Sequence, residues 1–88
     1  MNVTELEGQL REIFAVVLNI PPDNVVPELS PETCNQWDSL QHIHLVGAME
    51  ETFGIEISVE QQIEMMTFDL TIDVVQEAIS GKGSGLSG

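Results

Sequence analysis

Residues 38–54, with the sequence DSLQHIHLVGAMEETFG, decide the fold of this 88-residue chain. Asp38 is a favourable N-cap, and Gly54 suits the left-handed position that ends a helix, so the stretch predicts a helix over 39–53. Successive residues of a helix are about 100° apart. On that spacing we expect the core face to hold Ile43, Leu45, Val46, Met49 and Phe53. Leu40 falls on the opposite side, in the first turn.

A first helix is predicted over 4–18, where Thr4 and Glu7 form a capping box. Its apolar face recurs every three or four residues, at Leu6, Leu10, Ile13, Phe14, Val17 and Leu18. All four prolines of the chain then fall in residues 19–38, which excludes a continuous helix. We therefore expect a long loop that packs over the helices and contains short helical turns.

After the second helix, residues 55–57 look like a short extended connector. Ser58 and Gln61 form another capping box, which predicts a short third helix to about Met66. Leu70 and Thr71 open a fourth helix, whose inward residues are expected to be Ile72, Val75, Ala78 and Ile79.

The predicted fold is all-α: three longer helices and one short helix, with a long proline-rich loop between the first and second. No pattern of paired strands is present. The bundle is expected to occupy residues 1–80. Residues 81–88 are rich in glycine and serine and predict a disordered tail.

The charge of the chain excludes several functions. Fifteen acidic residues face only Arg11 and Lys82, a net charge of −13. Such a surface repels nucleic acids and anionic lipids and favours basic protein partners. A single cysteine, Cys34, excludes a disulfide framework and multi-cysteine zinc sites. With no signal peptide or long apolar run, we expect a monomeric cytoplasmic domain without membrane insertion.

Ser39 is the most informative candidate residue. At the first position of a helix, its hydroxyl lies beside unpaired backbone N–H groups, where an anion such as a phosphate ester is favoured. Alternatively, Ser39 is simply a serine in a favoured helical position. His42, one turn further, suggests a nucleophile and its base, but no third group completes a catalytic set. We expect His42 to be exposed.

His42 and His44 lie about 160° apart around the helix, so they cannot share a metal, and no metal site is predicted. Cys34 is expected to be a buried small residue. Trp37 is expected to fix the end of the loop onto the bundle, with a partner contact as the alternative.

The motif Asp38-Ser39-Leu40 resembles that of acyl carrier proteins. The resemblance extends over residues 1–80, and the residues that carry it after the motif are Ile43, Leu45-Val46, Ala48-Met49-Glu50-Glu51 and Phe53-Gly54-Ile55. It implies that Ser39, flanked by Asp38 and Leu40, carries 4′-phosphopantetheine, which a phosphopantetheinyl transferase attaches from coenzyme A. It also implies a carrier of acyl thioesters, with no catalytic residue of its own, in fatty-acid, polyketide or other specialised acyl biosynthesis.

The same resemblance implies a partner-binding face on the second helix. This face meets basic patches on acyl-loading and acyl-transferring enzymes, and its candidates are Leu40, His44, Gly47, Glu50 and Glu51. An acyl pocket is expected between the second and third helices, at Val46, Ile57, Ile63 and Met66.

The chain departs from the fatty-acid carriers on this second helix. It has Gln41 and His44 where those carriers have acidic residues, and Gly47 where they often have a large apolar one. The departures indicate a specialised carrier. Two alternatives stay open: an aminoacyl or peptidyl carrier, and an acidic helical adaptor that binds partners without a prosthetic group.

Overall fold

The computed structural model describes residues 2–84, with side-chain environments through Ser80. Within that range the chain forms helices α1 (Val3–Leu18), α2 (Ser39–Phe53), α3 (Val59–Glu64) and α4 (Phe68–Ser84), and a 3-10 turn at Pro22–Asn24. No strand is found in residues 2–84, which confirms the all-α prediction. Of the predicted tail, 81–88, the first four residues continue α4 as far as Ser84. Residues 85–88 lie outside the described part of the chain, so their disorder stays a prediction.

The ends of α2 confirm the sequence prediction. Asp38 Oδ1 accepts a hydrogen bond from the Gln41 amide at 2.9 Å. At the other end, Gly54 adopts a left-handed φ of 64° and its N–H donates to the Glu50 carbonyl. The capping box of α3 is also present, because Ser58 and Gln61 each accept a hydrogen bond from the other's backbone N–H.

Three other helix ends differ from the prediction. The N-cap of α1 is Asn2, whose Oδ1 accepts from the Glu5 amide at 2.8 Å, because asparagine is at least as good an N-cap as threonine. Helix α4 begins at Phe68, two residues earlier than expected, and Thr67 Oγ1 accepts from the Leu70 amide. Helix α3 ends at Glu64 rather than near Met66.

The core is centred on three aromatic rings. Phe14 of α1 makes edge-to-face contacts with Trp37 of the loop, at 5.2 Å between centroids, and with Phe68 of α4, at 5.0 Å. Trp37 is only 1% exposed, which confirms that it fixes the loop end and excludes it as an exposed partner contact. Such pairs add to the hydrophobic burial that stabilises the fold.

Ile43 is 64% exposed and does not belong to the core, contrary to the prediction. The buried residues of α2 are Leu45, Val46 and Met49. On a helical projection Val46 marks one edge of the buried arc, and Ile43 lies about 60° beyond it. Ile43 therefore faces the surface that carries Leu40.

The long loop is fixed to α4 by its backbone. The carbonyl of Leu29 accepts from the Phe68 amide at 2.9 Å, and that of Pro27 accepts from the Asp69 amide at 3.0 Å. These bonds satisfy donors that a helix leaves unpaired in its first turn. The loop also buries Cys34, as predicted. The segment that leads into α2 is therefore held against the bundle.

Candidate functional site

Ser39 is exposed and occupies the first position of α2. The carbonyl of Asp38 accepts from the His42 amide at 2.9 Å, which begins the helical hydrogen bonds. The amides of Ser39 and Leu40 precede that point and have no partner within the helix. The Ser39 hydroxyl thus lies beside backbone donors and at the positive end of the helix dipole, as the sequence predicted.

Asp38, predicted to lie at the cofactor site, holds the backbone in place. Its side chain caps α2 through the Gln41 amide, and its carbonyl bonds the His42 amide. Asp38 therefore fixes where the helix starts and with it the direction in which Ser39 is presented.

A cavity of about 490 Å³ lies beside Ser39. Its walls come from the loop and from the first turns of α2, and are formed by Pro31, Trp37, Asp38, Ser39, His42 and Ile43. The exposed Ile43 gives this cavity an apolar side next to the hydroxyl.

A larger groove, of about 630 Å³, lies between the loop and α3. Its apolar wall is formed by Val59, Ile63, Met65 and Met66. Pro31 and His42 line both this groove and the cavity beside Ser39, so the two spaces adjoin. An apolar surface therefore leads from Ser39 toward α3.

The structure brings together two of the four predicted pocket residues. Ile63 and Met66 line the groove. Ile57 instead lines a separate cavity that also contains Glu50, and Val46 is buried in the core. Val59 was missed, although its spacing of four residues from Ile63 places both on one face of α3.

The apolar residues of α3 are exposed to an unusual degree. Val59 and Ile63 are 71% and 70% exposed, Met66 just after the helix is 63% exposed, and none of the six residues of α3 is buried. The chain on either side is anchored by the buried Ile57 and Met65. Helix α3 therefore forms one wall of the groove and adds no buried residue to the core.

The outer face of α2 presents four of the five predicted partner residues. Leu40, His44, Gly47 and Glu51 are all exposed and fall within a stripe about 60° wide. No acidic residue lies in the first turn of α2. The stripe is apolar and neutral near Ser39 and acidic only at its far end.

Glu50, the fifth candidate, is half-buried and has a partner inside the molecule. Its Oε2 accepts a hydrogen bond from the Ile57 amide at 2.9 Å. Glu50 thus secures the connector between α2 and α3, and part of its carboxylate is withdrawn from the outer face.

His42 is half-buried and not exposed, so the sequence prediction was wrong. Trp37 Nε1 donates to His42 Nδ1 at 3.0 Å, and His42 Nε2 lies 3.0 Å from the Gln62 carbonyl of α3. On a helical projection, His42 lies between Leu45 and Val46, at the middle of the buried arc, which is the pattern that could have revealed it. Because both ring nitrogens are engaged, His42 is not available as a base for Ser39.

Two further findings concern the described residues alone. Among them, no group of three or more histidine, cysteine, aspartate or glutamate side chains is placed to hold a metal ion. None of the helices in that part of the chain combines the length and the apolar character needed to cross a membrane.

Comparison with known proteins identifies relatives along nearly the whole chain. It is 32% identical over 80 residues to an acyl carrier protein of Thermosynechococcus vestitus, covering 91% of this chain and 99% of the relative. It is also 32% identical over 77 residues to an acyl carrier protein of Rubrobacter xylanophilus, covering 88% of this chain and 95% of that relative. No family model matches the chain. The level of identity, the coverage and the helical fold together show that the chain belongs to the acyl carrier protein family.

Proposed function

We propose that this protein carries acyl groups as thioesters on a 4′-phosphopantetheine arm attached to Ser39, and that it delivers them to acyl-transferring enzymes. The observation that carries the proposal is the exposed Ser39 hydroxyl at the capped start of α2, in a chain of the acyl carrier family. As a member of that family, the chain is a carrier and not an enzyme.

The residues around Ser39 fit such a group. The amides of Ser39 and Leu40 are available to a phosphate ester on the hydroxyl, and the helix dipole favours its charge. The adjoining cavity offers Pro31 and Ile43 to the arm. When bound, the arm supplies a thiol that forms the thioester, which explains why the buried Cys34 is not needed for the chemistry.

We propose the groove beside α3 as the shelter for an apolar acyl chain. It adjoins the cavity at Ser39 and presents the exposed side chains of Val59, Ile63 and Met66. An acyl chain laid along them would remove apolar surface from water, at about 25 cal/mol per Å². Val46 and Ile57, the other two predicted pocket residues, do not line this groove, so we assign the shelter to Ile63 and Met66 with Val59.

The partners we propose are a phosphopantetheinyl transferase and acyl-loading and acyl-transferring enzymes that carry basic patches. The net charge of −13 favours encounter with such surfaces, since complementary charge raises association rates more than affinity. Leu40, 58% exposed next to Ser39, offers an apolar contact at the centre of the docking face, with His44, Gly47 and Glu51 along the same stripe.

Two alternatives make different demands on the same surfaces. An aminoacyl or peptidyl carrier would share the arm on Ser39 but would gain little from an apolar groove. A non-covalent adaptor would need neither the exposed hydroxyl nor the groove. The groove therefore favours an acyl cargo, and modification of Ser39 separates either carrier from the adaptor.

The test is the intact mass of the protein after incubation with coenzyme A and a promiscuous phosphopantetheinyl transferase. We expect a gain of one phosphopantetheine that is lost in Ser39→Ala and kept in Ser80→Ala, a matched change at another exposed serine. If a known carrier is modified under these conditions and this protein is not, the proposal is wrong.

A further inference from the structure

His42 connects three parts of the molecule that meet at the proposed site. It belongs to α2, one turn after Ser39. Its Nδ1 accepts from the indole N–H of Trp37 in the loop, and its Nε2 contacts the Gln62 carbonyl of α3, both at 3.0 Å. The imidazole and the Trp37 ring are nearly coplanar, with centroids 6.0 Å apart and planes 15° from parallel. We call the set Trp37, His42 and Gln62 the His42 bridge.

The hydrogen bonds determine which nitrogen of His42 carries the proton. An indole N–H can only donate, so Nδ1 must be an unprotonated acceptor. The proton then lies on Nε2, which donates to the Gln62 carbonyl. The bridge therefore requires neutral His42. An imidazolium has N–H groups on both nitrogens, and its Nδ1–H would face the N–H of Trp37 with no acceptor between them.

Helix α3 depends on this bridge more than an ordinary helix would. None of its six residues is buried, so apolar packing of its own side chains contributes little to its position. Its links to α2 include the His42–Gln62 hydrogen bond and the bond from the Ile57 amide to Glu50 just before α3. To α4 it has the longer, exposed bond from Gln61 Nε2 to Glu77 at 3.4 Å. His42 also lines both the cavity beside Ser39 and the groove, so its position sets the boundary between them.

The charged groups on the elements packed around His42 come from the loop and from α2. The loop places Glu28 and Glu32 along the same groove, and α2 itself contributes Asp38 one turn earlier. From α3 the group in contact is the Gln62 carbonyl, and the segment between α3 and α4 adds the neutral Met65, Met66 and Thr67. The Trp37 N–H needs an unprotonated Nδ1 as its acceptor.

We propose that His42 is a positioning residue of the Ser39 site: in its neutral form it holds α3 and the end of the loop onto α2, and protonation releases that hold. The bridge would thereby make access to the groove depend on pH in the range of about 5 to 8 in which histidine changes charge. The effect of this pH dependence on an acyl cargo rests on the proposed function. The bridge itself does not, since it exists in the unmodified protein.

Trp37 allows a direct test, because it is the only tryptophan of the chain. In unmodified protein, we expect the NMR resonance of the Trp37 indole N–H and the tryptophan fluorescence to change together between about pH 8 and pH 5. We expect exchange protection of the α3 amides, corrected for intrinsic rates, to fall about two- to tenfold over the same range, the effect of one net hydrogen bond.

Two histidine variants separate the bridge from general effects of acid. His42→Gln keeps one donor and one acceptor but does not titrate, so the changes in this pH range should disappear. His44→Gln is the matched control, since His44 is the other histidine, is exposed on the same helix, and has its Nδ1 3.2 Å from Gln41 Oε1. Its pH response should equal that of the original protein. Equal transitions in His42→Gln and the original protein would overturn the proposal.

The tautomer of His42 gives a second measurement that needs no variant. Nitrogen-15 chemical shifts of the wild-type imidazole at pH 8 should show a proton on Nε2 and none on Nδ1; the reverse pattern would overturn the proposal even if His42→Gln failed to fold. A failure of Ser39 modification would leave both measurements unchanged, so it is distinguishable from a failure of the bridge.

Discussion

The charge on the outer surface of α2 is set by single residues. Leu40 and His44 lie one turn apart on the same exposed stripe, and neither carries a carboxylate. The nearest acid on that stripe is Glu51, two turns further along the helix. A partner that docks along this stripe therefore meets apolar and neutral side chains at the end near Ser39 and an acid only at the far end.

A single substitution tests whether this neutral region selects partners. Introducing His44→Glu restores an acid at the position where fatty-acid carriers have one. We expect turnover by fatty-acid-synthase enzymes to rise about two- to fivefold at low salt, the effect of one exposed ion pair, and the gain to vanish at high salt. The measurement is the elongation rate of the loaded protein.

The control for that experiment is His44→Gln, which removes the imidazole without adding charge and should not raise turnover. If the original sequence is already elongated as well as a fatty-acid carrier, the specialised interpretation is wrong.

At the scale of the elements, α2 and α3 show what a sequence can and cannot predict. Both ends of α2 were predicted to the residue, because Asp38 and Gly54 are local determinants that act within a few residues. The exposure of Ile63 was not predicted, because periodicity identifies an apolar face without showing whether another element covers it. The contact of His42 with Trp37 depends on the path of a long loop, and no local pattern encodes that path.

Gly47 inside α2 and Gly54 at its C-terminal end give opposite predictions for stability. Gly47 lies inside the helix with nothing within 4 Å of an added Cβ, so Gly47→Ala should stabilise the fold by about 0.5–1 kcal/mol. Gly54 has a φ of 64°, so Gly54→Ala should destabilise it by about 1–2 kcal/mol. Urea unfolding of the two variants beside the original protein measures both changes.

A result in which both substitutions shift the midpoint in the same direction would contradict this account of how α2 is built and ended.

At the scale of the whole molecule, charge opposes the fold. The chain carries a net charge of −13, and Arg11, the one basic residue outside the last eight, pairs with Glu7 at 3.0 Å. Arg11 also donates to the Val25 carbonyl and lies 5.6 Å from the centre of the Phe68 ring. Most carboxylates of the surface are thus left to repel one another, which destabilises a compact state.

We therefore expect the melting temperature to rise with ionic strength. Increasing sodium chloride from about 10 to 150 mM shortens the screening length from about 30 to 8 Å, so repulsion across the surface should weaken. Millimolar magnesium should act at lower concentration than sodium. Calorimetry in matched buffers measures the change, and a melting temperature indifferent to both salts would contradict the expectation.

The attachment of the loop to α4 has a consequence for how the chain reaches its native state. The carbonyls of Pro27 and Leu29 bind amides about forty residues further along the chain. Bringing residues of that separation together costs loop-closure entropy before their contacts stabilise the chain. Such contacts are therefore expected to form late in folding. We therefore expect the segment that presents Ser39 and the first turn of α4 to become ordered together, after the more local contacts of α1 and α2.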